Sequence, residues 1–199
     1  MIEVKNYSAG YLDECVTVLA DAFVHNPLHL AAFGRRRTDQ NRLFFRIGLR
    51  QMFLGRAFVA LAGGAVGGFV HFNTTPDCLP APEEVPQVAA TLLRPLGKAI
   101  PQVVRWYSRW CRLDPDEPHV HLGPIGVAPR LQRQGTGTAL MQRYVEHLAR
   151  ENAAGYLETD LWENVKFYQK FGFIVRREEE LMGTRIWYMW RPRDAASMS

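Results

Sequence analysis

The sequence predicts an α/β fold of the α+β type, and three observations carry that expectation. In the second half of the chain, apolar runs of strand length alternate with runs of helical spacing, the pattern of stacked sheet and helix layers. The last two strand-like runs, residues 172–178 and 184–191, follow each other closely. They must therefore pair antiparallel, because a parallel pair needs a long crossover. Between a strand-like run at 119–127 and a helical pattern at 137–151 lies Gln132-Arg133-Gln134-Gly135-Thr136-Gly137, a glycine turn that opens a helix.

The elements follow in order. Residues 2–7 alternate and read as a short strand. Leu12, Val16, Leu19, Ala20 and Phe23 recur at helical spacing, which predicts a helix over 11–23 that Asn26-Pro27 breaks. Residues 28–34 read as an apolar connection, and 38–54 as a second helix with Leu43, Phe44, Ile47, Met52 and Phe53 on its inner face. Residues 56–62 and 65–73 read as a hairpin turning at Gly63-Gly64. Pro76, Pro80, Pro82 and Pro86 mark a loop. Residues 84–113 have a helical pattern interrupted by Pro95 and Pro101, which predicts two short helices. Asp114-Pro115-Asp116-Glu117-Pro118 is a turn. Strand 119–127, helix 137–151, strand 155–160, helix 164–171 and the two final strands complete the chain, and the tail beyond Arg193 is expected to fray.

A chain of 199 residues is expected to be one domain, and its 47% hydrophobic content suffices for a core. The net charge of +4 is too small to imply a nucleic-acid partner, and suits an anionic cosubstrate. Cys15, Cys78 and Cys111 lie far apart with no Cys-x-x-Cys spacing, so neither a zinc knuckle nor a redox pair is indicated. Free thiols point to a cytoplasmic protein. Residues 1–5 lack the basic start of a signal peptide. The longest apolar stretch, 57–70, is shorter than the roughly 20 residues that span a bilayer, so no membrane association is expected.

The glycine turn is an anion site by its own chemistry. Helix-opening N–H groups are free to bind an anion, the helix dipole adds positive charge, and Arg133 adds a full charge. One or two phosphates fit there. The turn lacks the Gly-Lys-Ser/Thr ending of a P-loop, and no Rossmann-type acidic residue follows at the usual distance.

Three stretches, taken in order, resemble the GNAT superfamily of acyl-CoA-dependent N-acetyltransferases. The first is Gly123-Pro124-Ile125-Gly126-Val127-Ala128-Pro129 leading into the Gln-x-x-Gly-x-Gly turn. The second is Leu157-Glu158-Thr159-Asp160, and the third Asn164-Val165-Lys166-Phe167-Tyr168-Gln169-Lys170-Phe171-Gly172-Phe173. The match covers roughly residues 120–191. The Leu-Glu-Thr stretch, the Trp187-Tyr188-Met189 strand and the chain length look most like the puromycin N-acetyltransferase-like branch.

The resemblance implies a splayed, mostly antiparallel central sheet flanked by helices. It implies that residues 119–191 bind acetyl-CoA, that 1–118 shape the acceptor site, and that no metal takes part. The pyrophosphate would meet the N–H groups of Arg133, Gln134, Gly135, Thr136, Gly137 and Thr138, with Gln132 opening the motif and the Thr138 hydroxyl as one more donor. The pantetheine arm would pair with main-chain groups of Ile125 and Val127, with Gly126 between them part of the cofactor site, and N–H groups along 125–127 can also polarise the thioester carbonyl. Pro124 has no N–H and fits a ladder interrupted there. Asn164 would contact pantetheine, cap its helix, or both. Tyr168, on the same helical face, would protonate the departing thiolate or serve only as packing.

The base is less defined. A lysine-like amine, with pKa about 10.4, is under ~0.1% neutral at pH 7, whereas an α-amino group near 7.7 is about one sixth neutral. Glu158 is the leading candidate, on one strand face with Tyr156 and Asp160, with a purely orienting carboxylate as the alternative. His119 and His121 share a face of the preceding strand and are alternatives to it; as a metal pair they lack a third ligand at recognisable spacing. Arg35-Arg36-Arg37 reads as a solvated loop or an anion contact. Trp106, Tyr107 and Trp110 read as core or as an aromatic wall for an amine.

The expected activity is direct acetyl transfer to a small primary amine by a monomer or homodimer. A protein N-terminus or lysine as acceptor, and a catalytically silent CoA-binding regulatory module, are the alternatives.

Overall fold

Alternation along the strands builds the sheet. Among the residues that the structure, a computed structural model, describes (2–35, 37–52, 56–81 and 83–193), seven strands form one sheet. They are β1 (Ile2–Asn6), β2 (Arg56–Ala62), β3 (Ala65–Thr74), β4 (His119–Val127), β5 (Ala154–Thr159), β6 (Ile174–Leu181) and β7 (Thr184–Arg191), in the order β1-β2-β3-β4-β5-β7-β6. All neighbours are antiparallel except β4 and β5. The sheet is thus mixed and mostly antiparallel, as expected.

Helices cover both faces: α1 (Leu12–Ala22), α2 (Pro27–Phe33), α3 (Thr38–Ile47), α4 (Val85–Leu92), α5 (Ile100–Leu113), α6 (Thr136–Arg150) and α7 (Trp162–Gln169). Val59, Phe69, Tyr156 and Tyr188 point into the cluster formed with α1, α2, α3 and α5. Their strand neighbours Phe58, Val70, Leu157 and Met189 point into the cluster with α6 and α7. Burial on both faces explains why these strands are nearly continuous apolar runs. On α6, Leu140, Tyr144 and Leu148 recur every four residues and are fully buried, and the Tyr144 hydroxyl donates to the Val120 carbonyl at 2.8 Å. No helix among the described residues is long and apolar enough to cross a membrane.

Three expectations need correction. Residues 28–34 are not a simple connection, because Asn26-Pro27 starts α2 as well as ending the preceding segment. The Asn26 side chain accepts from the His29 N–H at 3.1 Å, and Pro27 occupies the first turn, where its missing N–H costs nothing. The second helix ends at Ile47 and widens into a π-type turn, Gly48–Met52; residues 53 and 54 lie outside the described residues, as do Arg36 and the tail beyond Arg193. Pro101 does not interrupt a helix but sits in the first turn of the 14-residue α5, while Pro95 falls in a 3₁₀ segment, Arg94–Ala99.

One core histidine sets a pH dependence. His29 is buried, stacks on Phe45 at 5.3 Å, and donates from Nδ1 to the Asn41 side-chain oxygen at 2.8 Å. Burial lowers its pKa to about 4, with the Asn41 bond opposing only in part. The unfolded chain binds this proton below about pH 6.5 and the native state does not. Its contribution is therefore complete above that pH and is lost as the pH falls towards 4. We expect about 2 kcal/mol less stability at pH 5 than at pH 7 from this group, read by urea unfolding. A profile as steep in His29→Leu as in the native chain would exclude His29 as the cause.

Candidate active site

The sheet forks at its centre. β4 and β5 pair only at His119↔Ala154, Val120↔Gly155 and His121↔Tyr156, after which β4 runs on to Val127 and β5 to Thr159 without pairing to each other. The β3–β4 register shifts between Val70 and Phe72, opposite Gly123 and Pro124. A residue without an N–H and a local bulge both bend a strand away from its neighbour. Gly123 is needed there, since a Cβ would stand 2.7 Å from His71 Nδ1.

Ladder geometry decides which main-chain groups face the fork. The Ala128 N–H donates to the Gly67 carbonyl of β3 at 2.9 Å. Alternate residues of an antiparallel pair face the same partner, so Gly126 also turns to β3 while Ile125 and Val127 turn their N–H and C=O groups towards the fork. Gly126 is thereby corrected as a main-chain contact. Its missing side chain instead admits α1, with Leu19 Cδ2 at 2.9 Å from an added Cβ. The Val127 carbonyl already accepts from Gln132 Nε2 at 3.1 Å, which leaves its N–H available.

The glycine turn delivers α6 beside this opening. Gly135 caps the helix at φ +87°, a conformation that favours glycine, and Arg133 also has positive φ at 59°. The first-turn N–H groups of Thr136, Gly137 and Thr138 have no intrahelical acceptors. Gln134 spends its side chain on the Arg130 carbonyl at 2.8 Å. Of the two hydroxyls, Thr138 is exposed, whereas Thr136 is buried with Oγ1 lacking a partner among the described residues.

A cavity of about 330 Å³ opens from the fork. Asn164 and Tyr168 of α7, Glu158 of β5, and His121 and Ile125 of β4 all line it. Asn164 does not cap α7, because the helix starts at Trp162 and Leu161 holds the cap position. Tyr168 is buried, and that burial, aided by Asp160, raises its pKa, so the phenol stays protonated. Glu158 accepts from His121 Nε2 at 2.8 Å across the last paired rung, while its Oε1 is buried and unpartnered among the described residues. Asp160 shares the strand face and also lines the cavity, but both its oxygens are engaged. It accepts from the Leu28 N–H at 2.9 Å and from Asn26 at 2.7 Å, pinning α2.

The two histidines separate. His121 reaches the cavity, and His119 is buried without lining it. Burial opposes charge on His121, but the carboxylates of Glu158 and Asp114 outweigh it and raise the pKa to about 10. Asp114, which the sequence offered only as a turn residue, approaches His121 Nδ1 at 3.1 Å and His119 Nε2 at 3.5 Å. Cys78 adds a fourth donor, so the histidines do have further ligand-type neighbours, supplied by segments remote in sequence. Arg37 is tied to Asp39 at the surface. Trp106 and Tyr107 are both core and cavity wall, and Trp110 lines the wall too.

A forked sheet beside a helix opened by glycines is the architecture of N-acetyltransferases. The chain belongs to the acetyltransferase (GNAT) family, whose sequence model matches residues 24–173, and it is an acyltransferase. Solved structures agree on the fold. A histone acetyltransferase HPA2 and related acetyltransferase from Corynebacterium glutamicum aligns over 99% of both chains with TM-score 0.75 and 19% identity. The ribosomal-protein-S18-alanine N-acetyltransferase of Escherichia coli aligns over 100% of this chain and 98% of its own, with TM-score 0.61 and 14% identity. A GNAT acetyltransferase from Brucella melitensis, solved with acetyl-CoA, aligns over 98% and 90%, with TM-score 0.54 and 14% identity.

Proposed function

We propose that the protein transfers the acetyl group of acetyl-CoA to the primary amine of a small molecule. The observation that carries this reading is the fork: main-chain groups of Ile125 and Val127 face the gap left by β5, next to the open N-terminus of α6. The donor set fits the cosubstrate. Free N–H groups at the helix start and the exposed Thr138 hydroxyl suit a pyrophosphate, and the fork amides suit the two amides of pantetheine. Asn164 borders the same channel.

The chemistry follows from two residues that line the cavity. Glu158, held by His121, takes a proton from the ammonium group of the acceptor through Oε1, directly or through one water. The amine nitrogen attacks the thioester carbon, and the fork N–H groups stabilise the oxyanion. As the C–S bond breaks, Tyr168 gives its proton to the thiolate. The second proton of the attacking nitrogen passes through solvent to the phenolate, so that the neutral amide is left, and Glu158 returns its proton to solvent. The cavity argues for a small acceptor. Phe44, Phe45, Trp106, Tyr107 and Trp110 form an apolar wall suited to an aliphatic or aromatic body, with Glu158 marking the amine end. Two of the solved neighbours are named for protein acceptors, but at their level of identity they speak only to the fold.

Calorimetric titration with acetyl-CoA, followed by thiol release over a panel of amines, tests the reading. Acetyl-CoA binding with release for small amines and not for peptides is the expected result; binding without release for any amine would make the protein a silent CoA module. A glycine variant separates binding from folding. A Cβ at Gly137 would meet Phe167 and Val127 only at ordinary contact distances, 3.6 and 3.7 Å, so Gly137→Ala should keep or slightly raise stability. It should weaken acetyl-CoA about tenfold, or about 1.4 kcal/mol, by crowding the pyrophosphate. Unchanged affinity would remove the turn from the binding site.

A further inference from the structure

We propose that Cys78, Asp114, His119 and His121 bind one zinc ion in a closed site behind Glu158. Their donor atoms lie within 4.8 Å of one another, although they come from the loop after β3, the end of α5 and the start of β4. Asp114 Oδ1 is 3.1 Å from His121 Nδ1 and 3.5 Å from His119 Nε2. With zinc bonds of about 2.0–2.3 Å, tetrahedral donors stand about 3.3–3.6 Å apart, so Asp114 and the two histidines are already near that spacing. Cys78, whose thiol donates to the Asn73 carbonyl at 3.8 Å, must turn inward to complete the shell.

The hydrogen bonds independently point to a cation. His119 Nδ1 donates to the Glu117 carbonyl at 2.8 Å, which leaves Nε2 presenting a lone pair to the Asp114 oxygen. His121 Nε2 donates to Glu158, which directs Nδ1 at the same oxygen. All three of these inward atoms, Asp114 Oδ1, His119 Nε2 and His121 Nδ1, are buried without a hydrogen-bond partner among the described residues. The 3.1 Å approach is close enough for an ion pair but poorly aligned for a hydrogen bond. A proton on His121 would answer its own contact yet leave His119 and Asp114 as two acceptors facing each other. A divalent cation satisfies every one of them.

Charge and ligand type select the ion. Zinc would displace the ring proton of His121 and the thiol proton of Cys78, and the resulting thiolate, carboxylate and two neutral imidazoles neutralise a 2+ ion, which suits a largely buried site. Mixed nitrogen, oxygen and sulfur donors fit zinc better than magnesium or calcium. Each histidine already has its other nitrogen held by an oxygen, as metal-bound histidines usually do. Four protein ligands leave no open position, so the ion is structural. It would tie the three segments together and fix the ring that holds Glu158. Nothing in this donor set depends on acetyl transfer.

The test uses the purified full chain, stripped with a chelator and then given zinc or cobalt(II) alone. After desalting, elemental analysis should find about one zinc per chain, with a higher unfolding temperature than the stripped protein. Cobalt should give the visible bands of a four-coordinate ion and a near-ultraviolet thiolate charge-transfer band. That band should vanish in Cys78→Ser and persist in Cys111→Ser, with circular dichroism verifying that both are folded. His119→Ala should lose most of the retained zinc. No retained zinc in the native chain, or a thiolate band that survives Cys78→Ser, overturns the proposal. Both readouts are independent of catalysis, so failure of the acetyl-transfer reading would leave them unchanged.

Discussion

Tyr168→Phe should lower kcat by about 10²–10⁴-fold while leaving the affinity for acetyl-CoA nearly unchanged. The ring packs against Phe167 and Phe173, at centroid distances of 5.5 and 6.1 Å, and phenylalanine keeps those contacts. What disappears is one O–H at the cavity wall. Burial holds that phenol protonated across the physiological range, so it is competent as an acid and not as a base. A departing thiolate without a proton donor then limits the rate. The measurement is single-turnover thiol release at saturating acetyl-CoA, with unfolding curves to verify the fold. Full turnover in the variant, with chemistry shown to be rate-limiting, would reduce Tyr168 to a packing residue.

Glu158→Gln should lower kcat/KM at pH 7 by about 10²–10³-fold for an alkylamine of pKa about 10, and much less for an amine near 7.7. Glutamine keeps an acceptor for the His121 N–H, so the rung across the fork survives. Alanine would leave that imidazole facing no partner on this side, which confounds stability with catalysis. Without a base, the variant depends on amine that is already neutral. Its rate should rise about tenfold per pH unit up to the amine pKa, so the native and variant profiles converge as pH increases. Equal losses for both amines at every pH would mean that Glu158 orients the acceptor and does not deprotonate it.

The local geometry of residues 119–173 was legible because it depends on near neighbours. Gly135 needs a positive φ, Gly137 opens the approach to the helix start, and Asn164 and Tyr168 share a face four residues apart; each depends on neighbours within one turn or loop. The same locality makes the order of strands and helices readable from residue 119 onward. Residues with two local meanings were harder. Asn26-Pro27 reads as a stop yet starts α2, and Pro101 reads as an interruption yet opens α5, because proline is excluded from a helix interior but favoured in its first turn.

By itself the sequence determined the layered fold and the glycine turn that opens α6, since backbone conformation and helical spacing are properties of short segments. Only the tertiary structure decided the rest. It turned Ile125 and Val127 to the fork and Gly126 to β3, because ladder direction depends on the partner strand. It left a Glu158 oxygen unpartnered at the cavity and tied both Asp160 oxygens to α2 and its cap, although alternation places both residues on one face and both line the cavity. It also brought Cys78 and Asp114 to His119 and His121. Those contacts join residues up to 43 positions apart from Cys78 to His121, and no spacing rule encodes where separate segments meet. The physical reason is common to all three: chain direction is local, but the burial of two sheet faces against helices fixes which distant side chains share a space.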